Sequence, residues 1–337
     1  MKKIENTQKT NFFKKIFIKL CRLFGFEIID QSNFKSPTLN KGLDETLSIQ
    51  GHKSITIPLG QINIKNKINS LKIILRTCTS ELIMDQNKRR IFDEEKNEYT
   101  FRTLRSLIKS INKASLEFKN IKFDLIVTDT NSPKEDTDKI KEILNKSSIE
   151  NKFESIDPDS FKDKIKTGYS KAKFSNMANF YTSLMIAKKE SSDIIYFVED
   201  DYLHSEDAIT EMIFAYEKFN TIFSKDLVLL PSDYPYLYAK DEATKIYLGE
   251  KYHWRLVSES LVTFMTSKKV IEKNYNNLEK MGIEWTDPWE KPLHSIYNSN
   301  PCLSPVPSLA IHCANINSVF GVSPFVNLKK LWEKNKD

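Results

Sequence analysis

The chain has 337 residues, 40% of them hydrophobic and 28% charged, the balance of a globular protein with one large domain or two ordinary ones. Of its 51 basic and 45 acidic side chains, Lys2, Lys3, Lys9, Lys14, Lys15, Lys19, Arg22 and only Glu5 fall within residues 1–22, so that segment holds the whole net charge of +6. The remaining body is neutral, which argues against a nucleic-acid enzyme with its basic working face.

In chain order, Phe12, Phe13, Ile16, Phe17, Leu20, Leu23 and Phe24 recur at helical spacing while Lys14, Lys15, Lys19 and Arg22 take the other positions. This predicts a basic amphipathic helix over residues 10–25, within a first segment 1–30. Such a helix either makes a peripheral contact with an anionic membrane or docks its phenylalanine face on the body or on a partner chain. Residues 31–70 read as a polar connector with strand-like pieces at Ser54–Ile57 and Ile62–Ile64. A main domain over 71–330 then alternates strands and helices. Strands are expected at Leu71–Arg76, Phe123–Val127, near Phe153, at Ile194–Val198 and at Leu227–Leu230. The helices expected between and after them cover the Phe101–Ile111 stripe, 134–146, 174–190 and His204 to about Phe219. Alternation of this kind means an α/β fold, its mostly parallel sheet covered by helices on both faces. Further on, Tyr252–Leu256 and Leu261–Met265 alternate like paired strands, Ser267–Leu278 reads as a helix, Trp285–Glu290 opens a helix or turn, and Ser308–His312 is a short strand.

Several classes are excluded by what is scarce. Eight glycines, never closer than nine positions, rule out a glycine-rich phosphate loop. Cys21, Cys78, Cys302 and Cys313 form no CxxC pair, so a reduced, cytoplasmic environment is expected. No window is apolar enough for a membrane span, and lysines interrupt what would be a secretory signal.

The chemistry concentrates at Asp193-Ile194-Ile195-Tyr196-Phe197-Val198-Glu199-Asp200-Asp201, a buried strand ending in three carboxylates. Open α/β sheets bind ligands at the carboxyl ends of their strands. Three adjacent anions repel one another, which suits a bound Mn²⁺ or Mg²⁺ or a polyhydroxyl ligand; the other reading is a solvated turn capping the next helix. In Trp285-Thr286-Asp287-Pro288-Trp289-Glu290, Asp287, with Glu290 second, is placed to act as a general base between aromatic walls that would raise its pKa; it also reads as an anchored helix start. The Pro231–Tyr236 turn, after Leu227–Leu230, could line the acceptor side, and its Asp233 is a further base candidate.

This layout resembles the GT-A fold glycosyltransferases, most like family 2, over about residues 70–315. The resemblance rests on Glu199-Asp200-Asp201 standing where that family carries its DxD motif, after three strand–helix units. It implies a nucleotide-sugar donor, with Glu199 and Asp200 toward the nucleotide and Asp201 on Mn²⁺ or Mg²⁺. It also implies His312 as a second metal ligand, Arg76 and Asp129 at the nucleobase pocket, and Asn176 or Asn179 at a polar helix start before the metal strand. Glu199 in place of Asp is a departure, one methylene longer. His204 follows the triplet at an expected helix start, where capping or substrate contact explains it as well as metal binding does. The implied activity is sugar transfer to a hydroxyl of a surface glycan or lipid-linked acceptor, with no nucleic acid. The alternatives are a nucleotidyltransferase, although Thr77-Cys78-Thr79-Ser80 lacks its glycine-rich basic loop, and a non-catalytic interaction protein of the same fold.

Overall fold

The computed structural model describes residues 12–26, 64–80, 90–189, 192–239, 244–313 and 325–336. It divides into two compact units, 1–63 and 64–337. In the first, helix α1 spans Phe12–Leu23, close to the expected 10–25, and its Phe12, Phe13, Phe17, Leu20 and Leu23 are exposed. The strand-like piece Ser54–Ile57 lies outside the described residues, as does most of Ile62–Ile64. Among the described residues no helix is long and apolar enough to cross a membrane.

The second unit is a mixed α/β domain whose elements are β1 (Ser70–Thr77), α2 (Lys96–Glu117), β2 (Lys122–Thr130), α3 (Lys134–Asn145), β3 (Glu150–Ile156), α4 (Lys171–Lys189), β4 (Ile194–Glu199), β5 (Tyr202–His204), α5 (Ala208–Phe223), β6 (Val228–Leu229), β7 (Ile246–Leu248), β8 (His253–Val257), β9 (Phe264–Ser267), α6 (Lys268–Lys273), α7 (Tyr275–Ile283), α8 (Lys291–His294), β10 (Cys302–Val306), β11 (Ala310–His312) and α9 (Leu328–Lys334). Nine strands form one sheet in the order β3-β2-β1-β4-β9-β6-β10-β8-β7. The first four are mutually parallel, as are β6 and β10, while β9 and β8 run antiparallel to both of their neighbours. Most strands therefore share one direction.

Period-two alternation builds the two faces. From β1 and β4, Leu71, Ile73, Leu75, Ile194, Tyr196 and Val198 enter one core with Leu104, Leu107 and Ile111 of α2 and Ile209, Met212 and Phe219 of α5. The alternate residues Ile74, Ile195 and Phe197 enter the other, with Phe180 and Leu184 of α4, Ile271 of α6 and Leu278 and Met281 of α7. Where α7 meets α4, Gly282 lies so close to Tyr181 that an added Cβ would come within 2.8 Å of the tyrosine Cβ.

Three expectations are corrected. The segments Tyr252–Leu256 and Leu261–Met265 do not pair with each other: β8 pairs with β10 and β7, and β9 lies between β4 and β6. Alternation marks a half-buried strand but carries no information about its neighbour. The helix expected over Ser267–Leu278 breaks at Asn274, whose side chain bonds back to the Val270 carbonyl. His204 is not at a helix start. It ends β5, which pairs antiparallel with β11 in a separate two-stranded sheet.

Candidate active site

The parallel register delivers the ends of β1, β2 and β4 to one edge: Arg76 stands opposite Glu199 and Thr77 opposite Asp129. The β5–β11 ladder then fixes the rest. It places His312 opposite Tyr202, and a Cys313 N–H to Asp201 carbonyl bond of 2.7 Å extends it. A histidine 111 positions downstream thereby reaches the triplet, with its Nε2 3.3 Å from Asp201 Oδ2 and its ring stacked on Tyr202 at 4.7 Å.

Each carboxylate of the triplet faces a cation of the chain itself. Arg76 Nη2 is 3.1 Å from Glu199 Oε1, Lys96 Nζ is 3.9 Å from Asp200 Oδ2, and His312 pairs with Asp201. The repulsion read from the sequence is thus met first by protein charges. The three carboxylates also have separate tasks. Asp200 Oδ2 accepts from the Cys78 amide at 3.1 Å and from Thr100 Oγ1 at 2.9 Å, pinning the loop after β1 and the N-terminal part of α2 to the strand end. Glu199 accepts from Thr263 Oγ1 at 3.4 Å, and burial raises its pKa while Arg76 opposes that rise. Burial also pushes the Asp201 carboxyl up, but the charge and hydrogen bond of His312 reverse this and leave it below the usual range. His312 is the complement: burial lowers it, the charge of Asp201 raises it, and the net direction is upward.

Asp201 and His312 fit a divalent ion in a limited sense. Two adjacent ligands of one ion stand about 3 Å apart, as these two atoms do. Among the described residues no group of three His, Cys, Asp or Glu is placed to hold a metal. The pair therefore suits an ion that takes its other ligands from phosphate oxygens and water.

Glu290 belongs to this cluster. Its pKa is raised to about 7, chiefly by burial and further by the charge of Glu199, with His312 and Arg76 pulling the other way. Asp287, the first choice as base, is exposed on the turn. Glu290 is favoured over it because it is half-buried, next to Trp289, which is buried and bonded through Nε1 to the Met281 carbonyl at 2.9 Å. The two tryptophans stack on each other at 5.2 Å, and Arg76 lies 5.8 Å from the Trp289 ring, so Trp289 is an anchor rather than a sugar platform.

Other sequence candidates are placed differently. Asp129 is buried, and its carboxylate accepts from Thr77 Oγ1 at 2.7 Å and Ser132 Oγ at 2.6 Å, closing the turn after β2. Asn179 accepts from Thr128 Oγ1 at 2.7 Å and donates to the carbonyls of Thr77 and Thr128, tying α4 to the ends of β1 and β2. Of the two asparagines, Asn176 reaches the site, accepting from Arg76 Nη1 at 3.0 Å. Asp233 is buried in an ion pair with Arg255 at 2.9 Å and accepts from Tyr238 at 2.6 Å, so its charge is already spent. His204 is a core residue bonded to the Tyr196 hydroxyl at 2.7 Å, and burial lowers its pKa to about 4. Lys96, Thr100 and Thr263 were missed, since nothing local links them to a triplet 104, 100 and 64 positions away. Lys96 and Thr100 do share one helix face, as i and i+4, which is their only sequence signal.

No protein-family model matches the chain, and neither does any curated protein. Among solved structures, S. aureus TarS 1–349 aligns at a TM-score of 0.41 and 13% identity, over 70% of this chain and 57% of that one. The apo glycosyltransferase GlyE of Streptococcus pneumoniae TIGR4 gives 0.39 and 10%, over 80% and 60%. Mouse xyloside xylosyltransferase 1 gives 0.36 and 10%, over 68% and 77%. The chain spans 57% of the TarS 1–349 chain and 35% of a longer TarS chain.

Proposed function

We propose that this chain is a GT-A-type glycosyltransferase that takes a sugar from a nucleoside-diphosphate sugar and transfers it to a hydroxyl acceptor in glycan synthesis. The observation that carries the reading is the meeting of Arg76, Glu199, Asp201 and His312 at the carboxyl edge of a mostly parallel sheet, with Trp289, the neighbour of Glu290, 5.8 Å from Arg76. A Mn²⁺ or Mg²⁺ held by Asp201 and His312 would neutralise the leaving diphosphate. Arg76 holds Glu199 in place for the donor. Glu290, titrating near neutrality, accepts the proton of the acceptor hydroxyl as its oxygen bonds to the anomeric carbon and the bond to the diphosphate breaks. A base of ordinary carboxylate pKa would be a weaker acceptor; burial supplies the difference.

The test is calorimetry with UDP and GDP, with and without Mn²⁺, followed by hydrolysis of a panel of nucleotide sugars. One nucleotide should bind more tightly with the ion, and its sugars should be hydrolysed slowly. Absence of nucleotide binding would favour the non-catalytic interaction protein.

We further propose that α1 meets an anionic lipid surface as a peripheral contact. Its exposed phenylalanines and the basic surplus of residues 1–22 support this. Co-sedimentation with phosphatidylserine vesicles should depend on Phe13 and Phe17, and equal recovery of Phe17→Ser with the vesicles would reject it.

A further inference from the structure

We propose that Arg90 is a diphosphate-binding cation of this site, its guanidinium fork receiving the phosphate oxygens of the donor. The assignment deepens the donor reading above and rests on it.

Three observations carry it. Nη1 and Nη2 of Arg90 are buried, and neither has a hydrogen-bond partner among the described residues. Buried donors without acceptors are rare in folded proteins, and a buried unpaired charge rarer still. Second, the guanidinium lies 4.6 Å from the centre of the Tyr99 ring. That ring is fixed, because its hydroxyl accepts from the Phe92 amide at 2.8 Å and donates to the Phe92 carbonyl at 2.7 Å. With its central carbon over the ring, the guanidinium keeps a fork of N–H donors that matches a planar pair of oxygens.

Third, Arg90 sits by the triplet. The Tyr99 ring it lies against packs in one core cluster with Leu203, Ile311 and Cys313, and Cys313 donates its N–H to the Asp201 carbonyl at 2.7 Å. The other cations there are engaged: Arg76 with Glu199 and Asn176, Lys96 with Asp200 and the Cys78 carbonyl, His312 with Asp201. Neither terminal nitrogen of Arg90 has a hydrogen-bond partner among the described residues. A phosphate oxyanion next to Asp201 supplies the acceptor that the protein does not, and a bidentate arginine contact is the strong form of that recognition.

The experiment is calorimetry in Mn²⁺ with inorganic pyrophosphate, UDP, UMP, GDP and GMP, on the full chain and on Arg90→Gln and Arg90→Lys. The wild type should prefer each diphosphate to its monophosphate. Arg90→Gln should lose about tenfold or more in diphosphate and pyrophosphate affinity, with little change for the monophosphates. Arg90→Lys, which keeps the charge but not the fork, should recover only part. An unchanged di-to-monophosphate preference in an Arg90→Gln protein that melts like the wild type overturns the assignment. If Arg90→Gln does not fold, Arg90→Lys decides, and wild-type pyrophosphate affinity in it overturns the assignment. A wild type that binds pyrophosphate, weakened by these substitutions, but no nucleotide refutes the donor reading and leaves Arg90 as an anion site. A wild type that binds none of the five refutes both.

Discussion

Glu290→Gln separates catalysis from stability at one position. The Glu290 carboxyl is raised from 4.5 to about 7 because folding buries it beside Glu199. A carboxyl whose folded pKa exceeds its unfolded one makes the folded state hold the extra proton, so stability falls as pH rises from about 4.5 to about 7. Above that window the whole cost is present, about 3 kcal/mol at about 1.4 kcal/mol for each tenfold change. Glutamine has nearly the same shape and no charge to desolvate. Urea unfolding of Glu290→Gln should therefore match the wild type at pH 4.5 and exceed it by up to about 3 kcal/mol at pH 8. Turnover should move the other way, falling by about 10²–10⁴ as expected for loss of a general base, while the wild-type rate rises with pH through about 7. A stability difference that does not vary with pH would refute the burial argument. Retained turnover in Glu290→Gln would remove the residue as base, and the same assay on Asp287→Asn then tests the exposed alternative.

Asp201→Ala should abolish the Mn²⁺-dependent part of nucleotide binding, and calorimetry finding wild-type affinity in Mn²⁺ would end the metal assignment. Asp233→Asn should act on folding rather than chemistry: breaking its buried pair with Arg255 should cost about 3–5 kcal/mol in urea unfolding. A stable Asp233→Asn protein with lost turnover would instead return it to the list of bases. Gly282→Ala should lower stability by about 1–3 kcal/mol, because its Cβ would sit 2.8 Å from that of Tyr181; a thermal melt at the wild-type temperature would show that α4 and α7 can part without cost.

Several features of the site were legible in the chain. The apolar run before Glu199 fixed the depth of the triplet, and the strand ends at Arg76 and Asp129 were both read as reaching the same edge. His312 was legible as a strand end, but its route to Asp201 was not, since that depends on the β5–β11 ladder. Asp129, Asn179 and Asp233 show the opposite case. Each was read as a polar residue at a strand or helix end, although Asn179 lies in the middle of α4 because that helix starts at Lys171, and each has its hydrogen-bonding capacity taken up by neighbours that only folding supplies.

By itself the sequence determined the local elements and their faces, because helix and strand periods are written in residues a few positions apart. It also determined that three carboxylates would gather at a sheet edge. The tertiary structure alone decided how those charges are met: Arg76, Lys96 and His312 come from 123, 104 and 111 positions away to face Glu199, Asp200 and Asp201. It alone decided that Glu290 is half-buried and Asp287 exposed. Ionisation depends on solvent and on neighbouring charge, and both are set by packing between distant segments rather than by the order of residues along the chain.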